Sequence, residues 1–378
     1  MKQYIYADNA ATTKLDIDAF EAMKPYLLES YGNASQPYFF SMKPRRALKE
    51  ARKTIAECIG ALPEEIYFTS GGTESDNWAI KCFGLRNDVR KVYTSEIEHH
   101  AVLNANENAA RLSVNSKGIV LPEVLEEAFI SDNSPVPSCL STLVSVMLVN
   151  NEIGTIEPIK ELAVTAHAHN ALFHTDAVQA VGHIPIDVNK LGVDMLSSSA
   201  HKFNGPKGIG FLYVRKGTIL SPYANGGAQE HGMRAGTENV ASVVGMAVAL
   251  KKNCNEMQQT TKKLRSMENI FIEALRQANI DFIRNGSDNR VPGNINISIR
   301  DASGEMLLHR LDLKGICIST GSACDSVNTQ ISHVIKAIDV PKEYAEGTIR
   351  ISFGRDNKIE EASVAAKEIV DILRKGDN

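Results

Sequence analysis

The chain has 378 residues, 43% of them hydrophobic and 23% charged, with a formal net charge of -4, which suits one large folded unit and one smaller one. Acidic and basic residues are interleaved along the whole length, a pattern that excludes a nucleic-acid stripe or a basic membrane-binding tail. The opening MKQYIYADNAATT lacks a basic-then-apolar leader pattern and the best apolar run, TLVSVMLV, is too short to span a bilayer, so a cytosolic protein without a membrane association is expected.

Short β-rich runs alternate with helical stretches: EEIYFTS, RKVYTSE, STLVSVMLV, NALFHTD, VDMLSSS and GIGFLYV. Segments such as IKELAVTAHAHN have apolar residues at helical spacing, as crossover helices between parallel strands require. From about Glu238 the rhythm changes to a long helical region, a candidate bridge between units. VPGNINISIR, ASGEMLLHRLDLKG, ICIST, SHVIKAIDV, GTIRISFG and a terminal helix then suit a smaller α+β unit. The expected fold class is therefore α/β, with a mainly parallel sheet in the large domain and a smaller α+β domain. The expected boundaries are 15–255 for the large domain, and 1–14 with 256–378 for the small one.

Polar residues collect where these strands end. YFTS runs into GGTESDNWAIK, so Gly71, Gly72 and Thr73 sit where a strand turns into a helix, and exposed N–H groups at a helix start favour a phosphate. A helix cap from Ser70 or Thr73 is the competing reading. The motif is neither a G-x-G-x-x-G dinucleotide fingerprint nor a G-K-[ST] phosphate loop. His99 and His100, Asn150 and Asn151, Asp176 and Gln179, and then Ser199, His201 and Lys202 follow successive strands. In an open parallel sheet these ends share one edge, where ligands bind. Taken one at a time, Asn150 and Asn151 could be turn formers, Asp176 an N-cap and Lys202 a loop lysine. Together, a phosphate-binding helix start, a flat ring, an amide, an acid and a lysine match what pyridoxal phosphate needs: donors for its phosphate, a carboxylate for its ring nitrogen and an amine for its aldehyde.

Six cysteines, at 58, 82, 139, 254, 317 and 324, form no C-x-x-C and no regular spacing, so all are expected to be free thiols with no metal site. Cys324, in ISTGSACDS, has small and polar neighbours that suit a reactive thiol on a loop, whereas Cys317 lies in the apolar run LDLKGICI. His167 and His169 are two residues apart on a helix and point in different directions, which makes them surface or capping residues.

In order along nearly the whole chain, YADNAATT, FTSGGTESDN, VNNEIGT, HTDAVQAVG, SSSAHKFNGPKGIGFLYVR, MRAGTENV, STGSAC and IRISFGR resemble the landmarks of the pyridoxal-phosphate-dependent cysteine desulfurases of the NifS/IscS-like group, in the class V aminotransferase family. That resemblance implies the aminotransferase-like pyridoxal-phosphate fold type I. It implies that Lys202 carries the cofactor, Asp176 pairs with its ring nitrogen and His99 stacks on the ring. Asn151 and Gln179 would contact the ring hydroxyl, while Gly72, Thr73, Ser199 and His201 would hold the phosphate. Thr237 would reach the phosphate of a partner subunit, which implies a homodimer. Arg350, with Arg355 as its rival, would bind the carboxylate of L-cysteine, and Asn33 would add a substrate contact. Cys324 would take the sulfur as a persulfide, with His99 as acid and base, and the Cys324 loop resembles the long-loop subgroup that delivers sulfur to scaffold or carrier proteins.

The chain departs from the family pattern at Tyr38, Ser41 and Met42, at Ala228 and His231, and at Asp325. These changes bear on the pocket entrance and partner surface rather than on the lysine, aspartate or nucleophile. The competing readings are an aminotransferase or selenocysteine lyase of the same fold, or a low-activity sulfur-relay protein. The acceptor could belong to iron–sulfur cluster assembly or to tRNA thiolation.

Overall fold

In the computed structural model of the protein, residues 4–84, 90–132, 142–321 and 331–376 are described. A short strand, β1 (Ile5–Tyr6), precedes a seven-stranded sheet made of β2 (Ile66–Thr69), β3 (Lys91–Ser95), β4 (Ala110–Leu112), β5 (Thr142–Ser145), β6 (Leu172–Asp176), β7 (Met195–Ser199) and β8 (Gly210–Val214). Its order is β2-β8-β7-β6-β5-β3-β4. β3 to β7 pair in parallel, and β8 alone runs against both of its neighbours, so β2 points the same way as the parallel set. All residues of β5, β7 and β8 are buried, as expected for strands covered on both faces. The sequence reading did not anticipate β4, whose three residues, ARL, are too few for an alternation to stand out.

The second sheet has the order β12-β10-β9, built from β9 (Phe282–Arg284), β10 (Asn294–Ile299) and β12 (Thr348–Ser352), while β11 (Ile316–Cys317) pairs in parallel with β1. Alternation along β10 and β12 does the positioning here. Ile295, Ile297, Ile349 and Ile351 enter a second apolar core, so Asn294, Asn296 and Ser298 are left facing the other way, opposite Ser352, Arg350 and Thr348. This polar face docks on the large unit: Asn294 Nδ2 donates to the Asn151 carbonyl at 3.4 Å and Asn296 Nδ2 to the Glu152 carbonyl at 3.3 Å.

One uninterrupted helix, Val240–Gln277, runs between the two cores. Its first half buries Val243, Met246 and Leu250 with the large sheet, and its second half buries Leu264, Met267, Phe271 and Leu275 with the small one. The N-terminal segment makes a second link. Ala7 and Asn9 pair with Ser352 of β12, and Thr13 N–H then donates to the His201 carbonyl at 2.9 Å.

Candidate active site

The ends of β2, β3, β6 and β7, the turn that follows β5 and the polar face of β12 enclose a cavity of about 460 Å3. Gly72, Thr73, His99, Asn151, Asp176, Gln179, Ser199, His201, Lys202 and Arg350 line it, ten side chains or backbones singled out from the sequence. Asn33 and Thr237 do not line it within the single chain. Cys324 lies outside the described residues, as does Asp325.

At one end the helix Gly72–Cys82 begins with no side-chain cap; its N-cap is Gly71, at φ 153° and ψ -174°. Ser70 and Thr73 therefore do not cap it, and the first-turn N–H groups remain available to an anion. Glycine is needed twice. At Gly71 the backbone has a conformation essentially confined to glycine, and at Gly72 a Cβ would lie 2.6 Å from Val178 Cγ2. Ser199 and Thr73 hydroxyls border this end, as does His201, whose Nδ1 meets Thr12 Oγ1 at 3.1 Å. Burial, with the Lys202 and Lys207 charges, holds His201 down to about 4, so its ring is neutral near pH 7. An uncapped helix start, hydroxyls and a close glycine turn fit a phosphate group.

At the other end stands Asp176, buried at the end of β6, with Oδ1 accepting the Val178 N–H at 2.9 Å. Beneath it lies a buried polar cluster. His174 Nδ1 meets Ser145 Oγ and its Nε2 meets Ser197 Oγ, each at 2.9 Å, and Asp76 Oδ1 lies 3.7 Å from Nε2. Burial drives His174 down to about 3, hence neutral. Burial raises Asp176 to about 6, opposed by the Val178 N–H and the Lys202 charge. Asp76 is pushed well above the carboxylate range by burial and then by the Asp176 charge. Two neighbouring acids are thus driven apart: Asp76 keeps its proton, and Asp176 is the one beside a cation that can ionise. A carboxylate so placed fits a protonated ring nitrogen.

Lys202 follows β7 in a 3-10 turn, and its Nζ donates to the carbonyls of Ala10 and Ala11, both at 2.7 Å. Gln179 Nε2 donates to the Ala10 carbonyl as well, at 2.9 Å. The amine is thereby aimed across the cavity by the N-terminal segment, whose role the sequence reading did not assign. His99 is itself the N-cap of the turn His100–Leu103, with Nδ1 accepting the Ala101 N–H at 3.1 Å. This assigns the proton of the neutral ring to Nε2.

Behind His99, Glu98 is fully buried; its Oε1 accepts from Ser95 Oγ at 2.6 Å and from the Met147 N–H at 2.7 Å. Burial raises Glu98 to about 8. The unfolded chain releases this proton near pH 4.5 and the folded one near 8, so folding binds the proton in between and stability falls as pH rises through that window. In the apoprotein, Glu98→Gln should therefore melt higher than wild type above pH 8, with the gain shrinking towards pH 4.5; a pH series of thermal unfolding checks this. Equal effects at both ends would contradict a proton held on Glu98.

Arg350 is 1% exposed, with Nη2 on Asp8 Oδ1 at 2.7 Å and Nη1 on the Asn151 carbonyl at 2.9 Å. Its Nε is buried with no hydrogen-bond partner among the described residues. Arg355 instead pairs with Asp16 and lines a different, much smaller cavity. Asn150 forms the turn, accepting from the N–H groups of Glu152 and Ile153, whereas Asn151 lines the cavity. His167 and His169 pair with Asp194 and Glu126 at 2.8 and 2.9 Å. Among the described residues no cluster of three or more His, Cys, Asp or Glu is placed to hold a metal, and no helix is long and apolar enough to cross a membrane.

Among the departures, Tyr38 is 51% exposed, while Ser41 is buried with its hydroxyl on the Asn33 carbonyl. His231, at φ 60° and ψ 27°, follows Ala228 in a strained turn and packs edge-on to Tyr67. Residues that sequence reasoning missed are Asp8, Ala10, Ala11 and Asp76. The signal for Asp76 was its position four residues after Gly72, one helical turn along the face that meets the sheet.

Residues 5–364 match the family model of the class-V aminotransferases. A cysteine desulfurase IscS from Dictyoglomus turgidum is 47% identical, over 94% of this chain and 90% of the relative. A solved NifS-like protein superposes with a TM-score of 0.88 at 33% identity, covering 98% of this chain and 100% of that one. A solved SspA in complex with cysteine does so with a TM-score of 0.79 at 34% identity, over 93% of this chain and 99% of the other. Fold, edge-of-sheet cavity and sequence agree over almost the full length: the chain belongs to the class-V aminotransferase family.

Proposed function

We propose that the protein is a pyridoxal-phosphate-dependent cysteine desulfurase. L-cysteine and the Cys324 thiol give L-alanine and a persulfide on Cys324, whose outer sulfur then passes to an acceptor protein. One observation carries the reading: Lys202, Asp176, His99 and Arg350, brought by four different strands, line a single cavity. The names of the similar proteins agree with it, one a cysteine desulfurase and one solved with cysteine.

In this reading Lys202 holds the cofactor's aldehyde carbon and Asp176 its ring nitrogen. His99 holds the ring face, Asn151 and Gln179 its hydroxyl, and Gly72, Thr73, Ser199 and His201 its phosphate. Bound there, the cofactor supplies an electron sink for the bonds of a captured amino acid. Arg350 orients the substrate by its carboxylate, using a guanidinium already fixed by Asp8 and the Asn151 carbonyl. Lys202 Nζ and the His99 imidazole are the two groups that move protons. An ordinary thiol, with a pKa of about 8.5, is mostly protonated near neutral pH, and Asp325 beside it disfavours the anion. With its neutral-ring proton on Nε2, His99 can take the Cys324 proton only at Nδ1, in place of its contact with the Ala101 N–H.

The same reading includes a division into 15–255 and 1–14 with 256–378, supported by the two cores that the helix Val240–Gln277 joins. It also includes a cytosolic homodimer. Tyr31, Leu28 and Phe39 are exposed at 70, 74 and 85%, an apolar surface that a second copy would cover. Next to it Ser35 Oγ donates to Glu238 Oε1 at 3.0 Å, setting the segment that bears Asn33 beside the exposed Thr237. The acceptor is a scaffold or carrier protein, in iron–sulfur cluster assembly or tRNA thiolation.

Mass spectrometry after incubation with L-cysteine tests the reaction: one added sulfur on Cys324 with free alanine is expected, and Cys324→Ser should lose both. An adduct on another thiol, or unchanged alanine formation in Cys324→Ser, would point to a different nucleophile or to transamination.

A further inference from the structure

The helix start that fits a phosphate carries an acid in its first turn. Glu74, two residues after Gly72, lines the same cavity as Gly72 and Thr73. Its Oε2 accepts the Ser70 N–H at 3.0 Å, which turns the carboxylate back over the helix start, and 12% of the side chain is exposed. An acid there suits the bare helix, whose dipole favours negative charge, but it opposes a second anion arriving at the same N–H groups. Arg234 cancels that charge. Its Nε donates to Glu74 Oε1 at 2.9 Å and its Nη2 to Oε2 at 3.2 Å, both prongs of the fork on one carboxylate. The backbone that delivers the guanidinium is itself fixed, since the Tyr223 N–H donates to the Met233 carbonyl at 2.9 Å and the Ala235 N–H to the Ala224 carbonyl at 3.0 Å. Burial pushes Glu74 up, but the Arg234 guanidinium and the Ser70 N–H outweigh it and hold the carboxyl below its usual value, so the pair is ionised at neutral pH. Glu74 lines the cavity and Arg234 does not, so Arg234 acts there through Glu74.

We propose that Arg234 is a positioning residue for cofactor affinity: its two-pronged pair with Glu74 cancels the acidic charge in the first turn of the helix Gly72–Cys82 and keeps that helix start open to a phosphate. The proposal rests on the reading of this end of the cavity as the phosphate site. Its signature is dependence on charge. Loss of Arg234 should harm a ligand that bears a phosphate and spare one that does not, and removal of the Glu74 charge should repair the harm.

The full-length protein, stripped of cofactor, is titrated in mildly alkaline buffer with pyridoxal phosphate and with pyridoxal, which lacks the phosphate, and the dissociation constants are read from the absorbance of the bound chromophore. Arg234→Gln should weaken pyridoxal phosphate on the order of 10–100-fold and pyridoxal by less than about twofold. Glu74→Gln combined with Arg234→Gln removes both charges and should return pyridoxal phosphate to within about threefold of wild type. Glu74→Gln alone leaves the guanidinium unopposed and should bind pyridoxal phosphate at least as tightly as wild type. Equal effects of Arg234→Gln on the two ligands, a double variant as weak as the single one, or weaker binding in Glu74→Gln would each overturn the proposal and leave the phosphate site standing. A wild type that holds pyridoxal as tightly as pyridoxal phosphate would overturn both. The readout is binding, so it is separate from desulfurase turnover.

Discussion

Lys202→Ala should abolish turnover of L-cysteine and leave a protein that no longer retains the cofactor's yellow colour through gel filtration. Lys202 Nζ is held between the Ala10 and Ala11 carbonyls at the cavity wall. Alanine removes both the amine that would anchor the cofactor and a proton-transfer group, and the second loss alone is worth roughly 10²–10⁴-fold in rate. The fold should survive, because Lys202 lines the cavity and its backbone carbonyl still accepts from His183. Circular dichroism and absorbance of the purified variant check both halves. A variant that keeps the colour and turns over cysteine would remove Lys202 from its role.

Arg350 should show the second largest effect, and here the choice of substitution decides what is learned. Arg350→Ala strands Asp8 and opens a void in a residue that is 1% exposed, so a stability loss of about 3–5 kcal/mol is expected. Arg350→Lys keeps the charge for Asp8 but loses the fork that also reaches the Asn151 carbonyl. Its KM for L-cysteine should rise on the order of 10–100-fold, with kcat changed much less, because a charge-assisted contact to the substrate is lost. A steady-state titration separates the two parameters. An unaltered KM in Arg350→Lys would move carboxylate recognition elsewhere, although Arg355, engaged with Asp16, is not in the cavity to take it over.

Most of the site was legible because parallel strands deliver their C-terminal ends to one edge, so His99, Asp176, Ser199 and Lys202 could be grouped from strand order alone. Arg350 was legible only through motif resemblance. Its placement depends on the β10–β12 register, where Asn296 faces it across the ladder, and on the docking of that polar face over Asn151. Neither follows from local pattern. The Ala10 and Ala11 carbonyls were invisible for a different reason: backbone groups leave no residue-type signature, and their part arises from a segment paired to Ser352 far along the chain. Asp76 and His174 went unremarked because a buried neutral acid and a neutral histidine look, in sequence, like any polar residues on a helix and a strand.

The convergence on Lys202 is tested most directly by treating the cofactor-loaded protein with borohydride, which fixes the cofactor to whichever amine carries it, and mapping the modified peptide by mass spectrometry. A pyridoxyl group on Lys202 alone is the expected result. Modification of Lys207, which borders the same cavity, or of any other lysine with Lys202 unmodified would contradict it.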